Sequence, residues 1–222
     1  MTTKLMLADL PRWVEAHDLA RDAASWHRDG CVGNDGGAEP LICVYGRPSV
    51  EAVLSLAIEF PQHTLLVPRE REDLVMALPR PMVRAILHTL PDPSLLPDYE
   101  GAAPLTDDAS VAHLPDELRE EIEDARQWAT VWTAWVDGIP MSFAYASATS
   151  DAWFDIGVDT APGARQLGLA TIVASTLIRA ERANGREPVW GATEDNIASL
   201  RLAARLGFVA VDELWVAAPA VH

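Results

Sequence analysis

The chain is poor in positive charge. Lys4 is its only lysine, and 17 Lys+Arg face 33 Asp+Glu, for a formal net charge of −16. A phosphate backbone needs basic patches, so a nucleic-acid partner is excluded. The acidic balance fits a solvated surface, and it also fits a cationic acceptor such as an amine. The lysine scarcity reads as compositional bias rather than function. Cysteine is scarce too: Cys31 and Cys43 show neither zinc-ligand spacing nor a disulfide framework. His17, His27, His63 and His88 are scattered, so no metal site is expected. No run approaches the roughly eighteen apolar residues of a membrane span. Asp9, Arg12 and Glu15 interrupt the start too early for a secretory signal, and the expected location is the cytoplasm.

What is present is ordinary globular material. A length of 222 residues allows one large or two small domains. Pro91, Pro93, Pro97 and Pro104 break helix and strand alike, which places a boundary near residue 98. Residues 1–98 read as a smaller α/β domain of unassigned role. Leu10 to Trp26 has helical spacing, Leu41 to Tyr45 and Thr64 to Val67 read as buried strands, and Ser49 caps a helix running towards Pro61. Glu70 to Leu78 and Pro81 to Leu90 read as helices.

Residues 99–222 are more regular. Pro115 opens an acidic helix running to about Gln127, with carboxylates in the first turn, where the helix dipole favours them. Asp137-Gly138 is a turn signal between two strands, Ala129 to Val136 and Ile139 to Ala148. Trp153 to Val158 is a further strand. Leu167 to Asn184 is a helix closed by Gly185, and strand Pro188 to Ala192, helix Asn196 to Leu206 and strand Phe208 to Ala217 follow.

The chemistry concentrates in Arg165-Gln166-Leu167-Gly168-Leu169-Ala170, where a strand turns through Pro162-Gly163 into a helix. The first N–H groups of a helix lack internal partners and carry partial positive charge, so they bind phosphate. Gly168 and Ala170 keep side chains small where backbone must approach a ligand. Arg165 adds a permanent cation. By itself this segment reads equally as an anion site or as a tight turn before a buried helix.

The motifs and the order of elements resemble the GNAT family of acetyl-coenzyme A dependent N-acetyltransferases. Its Arg/Gln-x-x-Gly-x-Gly/Ala motif is matched by Arg165, Gly168 and Ala170, after Val158-Asp159-Thr160-Ala161-Pro162. Its later Asn-x-x-Ala/Ser motif followed by Gly-Phe is matched by Asn196, Ser199, Gly207 and Phe208. The resemblance covers residues 99–222. It implies an α/β fold with a GNAT-like mixed central sheet flanked by helices. It also implies acetyl-CoA as co-substrate and transfer of acetyl to a primary amine in a ternary complex.

On that resemblance, amides of Gln166, Leu167, Gly168, Leu169 and Ala170, with Arg165, hold the pyrophosphate. The strand through Val158 and Thr160 pairs with the pantetheine arm, and Asn196 and Ser199 line the next helix. Arg201 and Arg205 either face solvent or reach the nucleotide phosphates. Many members carry a tyrosine seven residues after the asparagine, which protonates the departing thiolate. Here that residue is Ala203, placing the chain in a branch without it. Asp155 is the first candidate for the base that takes a proton from the acceptor ammonium, and Glu194 or Asp195 the second. Trp128, Trp132, Trp135 and Trp153 suit core packing, with Trp128 and Trp132 the two that could face an acceptor. Ala203 keeps a second class open, a non-catalytic acyl-CoA binding or regulatory module. The acceptor, a small molecule or a peptide amine, is not specified. Residues 1–98 leave room for a homodimer or a partner-binding role.

Overall fold

The computed structural model describes residues 6–35, 40–96, 98 and 100–219. In chain order the first elements are α1 (Val14–Arg21), β1 (Trp26–Arg28), β2 (Cys31–Gly33), β3 (Leu41–Val44), α2 (Val50–Glu59), β4 (Thr64–Pro68), α3 (Glu72–Ala77) and β5 (Met82–Thr89). Then come β6 (Ala102–Pro104), α4 (Asp116–Trp128), β7 (Trp132–Val136), β8 (Ile139–Thr149) and β9 (Trp153–Thr160). The chain closes with α5 (Leu169–Ala183), β10 (Glu187–Thr193), α6 (Ile197–Leu206) and β11 (Val209–Ala217). It forms two compact units. One is Met1–His88, Gly191–Ile197 and Ala210–His222, and the other is Thr89–Trp190 and Ala198–Val209. Residue 98 lies inside the second unit, and most of β11 returns to the first.

The first unit carries the strand order β1-β2-β3-β4-β11-β5. β1, β2 and β3 pair antiparallel, β3 and β4 parallel, and β4 and β11 antiparallel. Side chains alternate across a strand, and both faces are buried here. Ile42 and Val44 join Val53, Leu56, Leu65 and Leu74 on one face, while Cys43 and Val32 join Ala16 and Leu19 of α1 on the other. Burial pushes the Cys31 thiol up to about 12 and Cys43 well above its ordinary value, so neither thiol is a nucleophile near neutral pH.

Ser49 caps α2 as expected, its hydroxyl accepting from the Ala52 amide at 3.2 Å. The other end of α2 is closed by a buried guanidinium. Arg80 donates to the carbonyls of His63 (2.6 Å), Phe60 (3.1 Å) and Ala57. Two local expectations change. Pro81 to Leu90 is the strand β5 rather than a helix, with Ala85 and Leu87 buried at strand spacing. The first helix stops at Arg21, and Trp26 opens β1.

The second unit carries the order β10-β9-β8-β7-β6, parallel only between β10 and β9. The Asp137-Gly138 turn joins β7 to β8, with φ of 52° and 78°, the backbone that suits a two-residue hairpin. On one face of β8, Phe143 and Tyr145 pack against Ile122 and Ala125 of α4. By strand parity Ala144 and Ala146 of β8, with Phe154 and Ile156 of β9, take the opposite face. α5 lies against β7, β8 and β9, burying Val173, Ala174, Leu177 and Ile178. The register shifts between Ala146 and Ala148, so Ser147 is an extra residue in β8.

Candidate functional site

The site begins where a ladder stops. β9 runs to Thr160, but its pairing with β10 covers only Glu187↔Trp153, Pro188↔Phe154 and Val189↔Asp155. The other edge of β9 stays paired with β8 as far as Ser142↔Thr160. Past Asp155, therefore, the β10-side edge of the strand lies outside the ladder. Its far end is pinned by side chains: the Ser142 and Thr160 hydroxyls are 2.7 Å apart, and Ser142 donates to the Asp159 carbonyl at 3.2 Å. Thus the Thr160 side chain serves the β8 side, leaving Val158 and Thr160 to act through backbone.

Beyond Thr160 the chain makes a short 3-10 turn over Pro162–Ala164 and then two left-handed residues, Gln166 at φ 67° and Gly168 at φ 81°. Glycine takes that conformation freely, but glutamine is held in it at a cost of about 1–3 kcal/mol. The consequence is a run of backbone N–H groups with no internal acceptor. Among the described residues, the amides of Gln166 to Ala170 have no backbone partner, and the first that does is Thr171, bonded to the Gly168 carbonyl at 3.1 Å. These groups sit at the positive end of the 15-residue α5. Successive N–H groups in such a turn make an anion-binding concavity. Arg165 Nε approaches the Thr160 carbonyl at 3.4 Å, and no carboxylate pairs with it among the described residues. A permanent cation therefore flanks the nest.

Asp155 stands at the last rung of the β9–β10 ladder. Its carboxylate is half-buried and accepts from the hydroxyl of Ser147, the extra residue of β8, at 3.2 Å. Two residues on, at Gly157, the strand comes close to a side chain. A Cβ there would lie 2.7 Å from Cζ of Tyr145, so the phenol end of that ring rests on the glycine. The Tyr145 hydroxyl donates to Glu121 Oε1 at 2.6 Å. Trp128 meets the same ring edge-on with centroids 5.8 Å apart, and its indole N–H donates to Asp124 at 3.2 Å. Glu121, Asp124 and Trp128 recur at the three-to-four-residue spacing that places them along one side of α4. Glu121 and Tyr145 escape the sequence reading, since nothing local links a helix residue to a strand residue. The one available signal is a glycine inside a strand, which marks a close approach.

Asn196 is exposed and immediately precedes α6, its amide donating to the Thr193 carbonyl at 2.9 Å. Ser199 accepts from the Trp190 indole at 2.9 Å, and Trp190 is buried edge-to-face with Phe208. That hydroxyl therefore ties α6 to β10. Ala203 has no exposed surface. α6 closes with Phe208 N bonded to the Ala203 carbonyl and Gly207 N to Ala204, a left-handed cap at Gly207. Glu194 is half-exposed and accepts from Arg84 at 2.8 and 3.1 Å, so its carboxylate is held in an ion pair. Glu194 and Asn196 belong to the first unit, and the β9 segment, the loop and Ser199 to the second. Among the described residues no group of His, Cys, Asp and Glu is placed to hold a metal ion, and no helix is long and apolar enough to cross a membrane.

Residues 134–216 match the family model described as GNAT acetyltransferase. This stretch is similar to a GNAT acetyltransferase domain. The match spans β8, β9, the amide nest and both later helices. Solved structures agree in fold along nearly the whole chain. A GCN5-related N-acetyltransferase-like protein from Streptococcus suis is 19% identical with a TM-score of 0.66, over 94% of this chain and 92% of that one. A GCN5-related N-acetyltransferase from Kribbella flavida is 16% identical with a TM-score of 0.66, over 95% of each chain. A putative GNAT-family acetyltransferase from Novosphingobium aromaticivorans is 16% identical with a TM-score of 0.64, over 87% and 89%. No curated protein matches the sequence. The shared fold thus extends beyond the family match into the first half of the chain.

Proposed function

We propose that this protein is an N-acyltransferase that moves acetyl from acetyl-CoA to a primary amine, both substrates bound together. One observation carries the reading: the edge of β9 that leaves its ladder at Asp155 runs directly into the amide nest of Gln166 to Ala170. Nest and edge fit the two ends of a pyrophosphate-pantetheine chain, the first through N–H donors and Arg165, the second through main-chain pairing as if by an added strand. Acetyl-CoA supplies the activated thioester. The chain's own residues hold it and manage protons.

Asp155 is the base in this reading. It stands where strand pairing ends, half-buried, with its carboxylate oriented by Ser147. It accepts the proton that an alkylammonium must lose before its lone pair can attack a carbonyl carbon. α6 offers no acid, because position 203 is a fully buried alanine. The thiolate then leaves as such or takes its proton from water. The same buried alanine favours the second reading, an acyl-CoA binding module without turnover.

Thiol release from acetyl-CoA, measured against a panel of primary amines, separates the two. Release that depends on the amine supports transfer, while tight acetyl-CoA binding with no such release sinks it. If Asp155 is the base, Asp155→Asn lowers kcat by roughly 10²–10⁴ and flattens the acidic limb of the pH–rate profile. An unchanged profile removes Asp155 from the role.

A further inference from the structure

We propose that Glu121 is the anionic element of an acceptor subsite for an alkylammonium group, with the exposed indole of Trp128 as its wall. What the bound amine does next rests on the acyltransferase reading; the binding itself does not. Three observations support it. The first is the position of the carboxylate. Gly157 allows the Tyr145 ring to lie across the strand, and the Tyr145 hydroxyl holds Glu121 Oε1 at 2.6 Å. A helix carboxylate is thereby delivered above β9, two residues past the rung where its pairing with β10 ends. Asp155 occupies the same face at that rung, since residues two apart on a strand point the same way.

The second observation is charge. Two other partly buried carboxylates in this chain are matched by arginine, Glu181 by Arg186 and Asp212 by Arg12. Glu121 is also half-buried, yet among the described residues it has a hydroxyl donor and no cation. A carboxylate removed from water gains most from a charged donor. The third is the aromatic surface. Trp128 is 53% exposed although it packs near-perpendicular to the Tyr145 ring, and its N–H is taken by Asp124. An indole with its N–H satisfied and about half of its surface open to solvent attracts a cation and binds the methylenes beside it. A carboxylate and an indole on one ring of contacts select a primary alkylammonium over a neutral alcohol of equal length.

The test is direct binding on the full chain, with n-butylammonium as probe and 1-butanol as the uncharged control, followed by calorimetry or ligand-observed NMR. Wild type binds the ammonium at least about tenfold more tightly than the alcohol. Glu121→Gln lowers the ammonium affinity roughly tenfold to a hundredfold, the range for loss of a charge-assisted bond. Trp128→Leu lowers it about threefold or more. Tyr145→Phe keeps the ring over Gly157 and releases the carboxylate, and its affinity falls about two- to tenfold. It covers the case in which Glu121→Gln alters folding. In turnover, Glu121→Gln raises KM for the amine and leaves kcat within about threefold, whereas Asp155→Asn acts on kcat. Equal binding of ammonium and alcohol, or wild-type affinity in Glu121→Gln and Tyr145→Phe, overturns the subsite and leaves the transferase reading standing. Ammonium binding lost in these variants, in a protein that releases no thiol with any amine, supports the subsite and overturns the transferase reading instead.

Discussion

Replacing Gly157 by alanine tests the contact on which the geometry of the site depends. The added methyl carbon would sit 2.7, 2.8 and 3.1 Å from Cζ, Cε2 and Cε1 of Tyr145, against an ordinary carbon–carbon contact of about 3.5–4.0 Å. The ring must withdraw by close to an ångström. It is poorly free to do so: it is 6% exposed, bonded through its hydroxyl to Glu121 at 2.6 Å, and packed against Trp128. Overpacking of this kind costs about 1–3 kcal/mol. Alanine recovers about 0.4–1 kcal/mol by restricting the unfolded chain. The expected net effect is a loss of about 0.5–2 kcal/mol, read by urea denaturation. For a chain of this length that corresponds to a melting temperature lower by roughly 1–8 °C. The cause is identified by a double-mutant cycle with Tyr145→Leu, which removes the clashing end of the ring. In that background Gly157→Ala is neutral or stabilising, with a coupling energy of about 1 kcal/mol or more. If Gly157→Ala is as stable as wild type, or costs the same in the Tyr145→Leu background, the Tyr145 ring does not restrict position 157.

Two further outcomes concern the first unit. Arg80→Met leaves the carbonyls of His63, Phe60 and Ala57 without their shared donor. It is expected to cost about 2–5 kcal/mol in chemical denaturation, with Arg80→Lys recovering part; a cost below about 0.5 kcal/mol would rule out the capping role. For Asp212, burial pushes the carboxyl up, but hydrogen bonds from Arg12 and the Glu213 amide and the charges of Arg12 and Arg69 outweigh it and hold it below the ordinary range. A folded pKa depressed in this way adds stability that is complete above the unfolded value near 3.9 and is lost as pH falls through the lower folded value. The stability gap between wild type and Asp212→Asn should therefore persist from neutral pH to about pH 4 and shrink below it. A gap that widens on acidification would contradict the sign.

The parts of this molecule legible in its sequence are those governed by neighbours along the chain. The Asp137-Gly138 hairpin, the Ser49 cap, the Gly185 end of α5 and the loop from Arg165 to Ala170 depend on the dihedral preferences of a few adjacent residues. The same logic covers the hairpin at Asp29-Gly30, with φ of 48° and 80°, but strands of three residues are too short for an alternation to stand out. Pro81 to Leu90 misleads for a different reason. Met, Leu, Ala and Arg are good helix formers, and β5 becomes a strand through its place beside β11 at the end of the first unit's sheet.

At the site the division is similar. The nest was legible because Gly168, Ala170 and Arg165 are consecutive with it. Asp155 was legible as a strand carboxylate, and its position at the last rung was not, because that depends on where β10 stops pairing. Glu121 was hidden among the acidic residues of α4, most of which face water. It is distinguished by Tyr145, 24 positions away.

By itself, then, the sequence determined the left-handed turn from Arg165 to Ala170, the order of most elements in residues 99–222 and the likeness to GNAT acetyltransferases. Turn conformation and motif spacing are written in local residue choice. The tertiary structure decided which carboxylates stand together. It put Glu194 into an ion pair with Arg84, buried Ala203 beneath the cap of α6, and brought Glu121 to β9 through a ring lying on Gly157. Such placements depend on strand register and on the absence of a single Cβ, and no pattern along the chain records what will lie across a strand once it has folded.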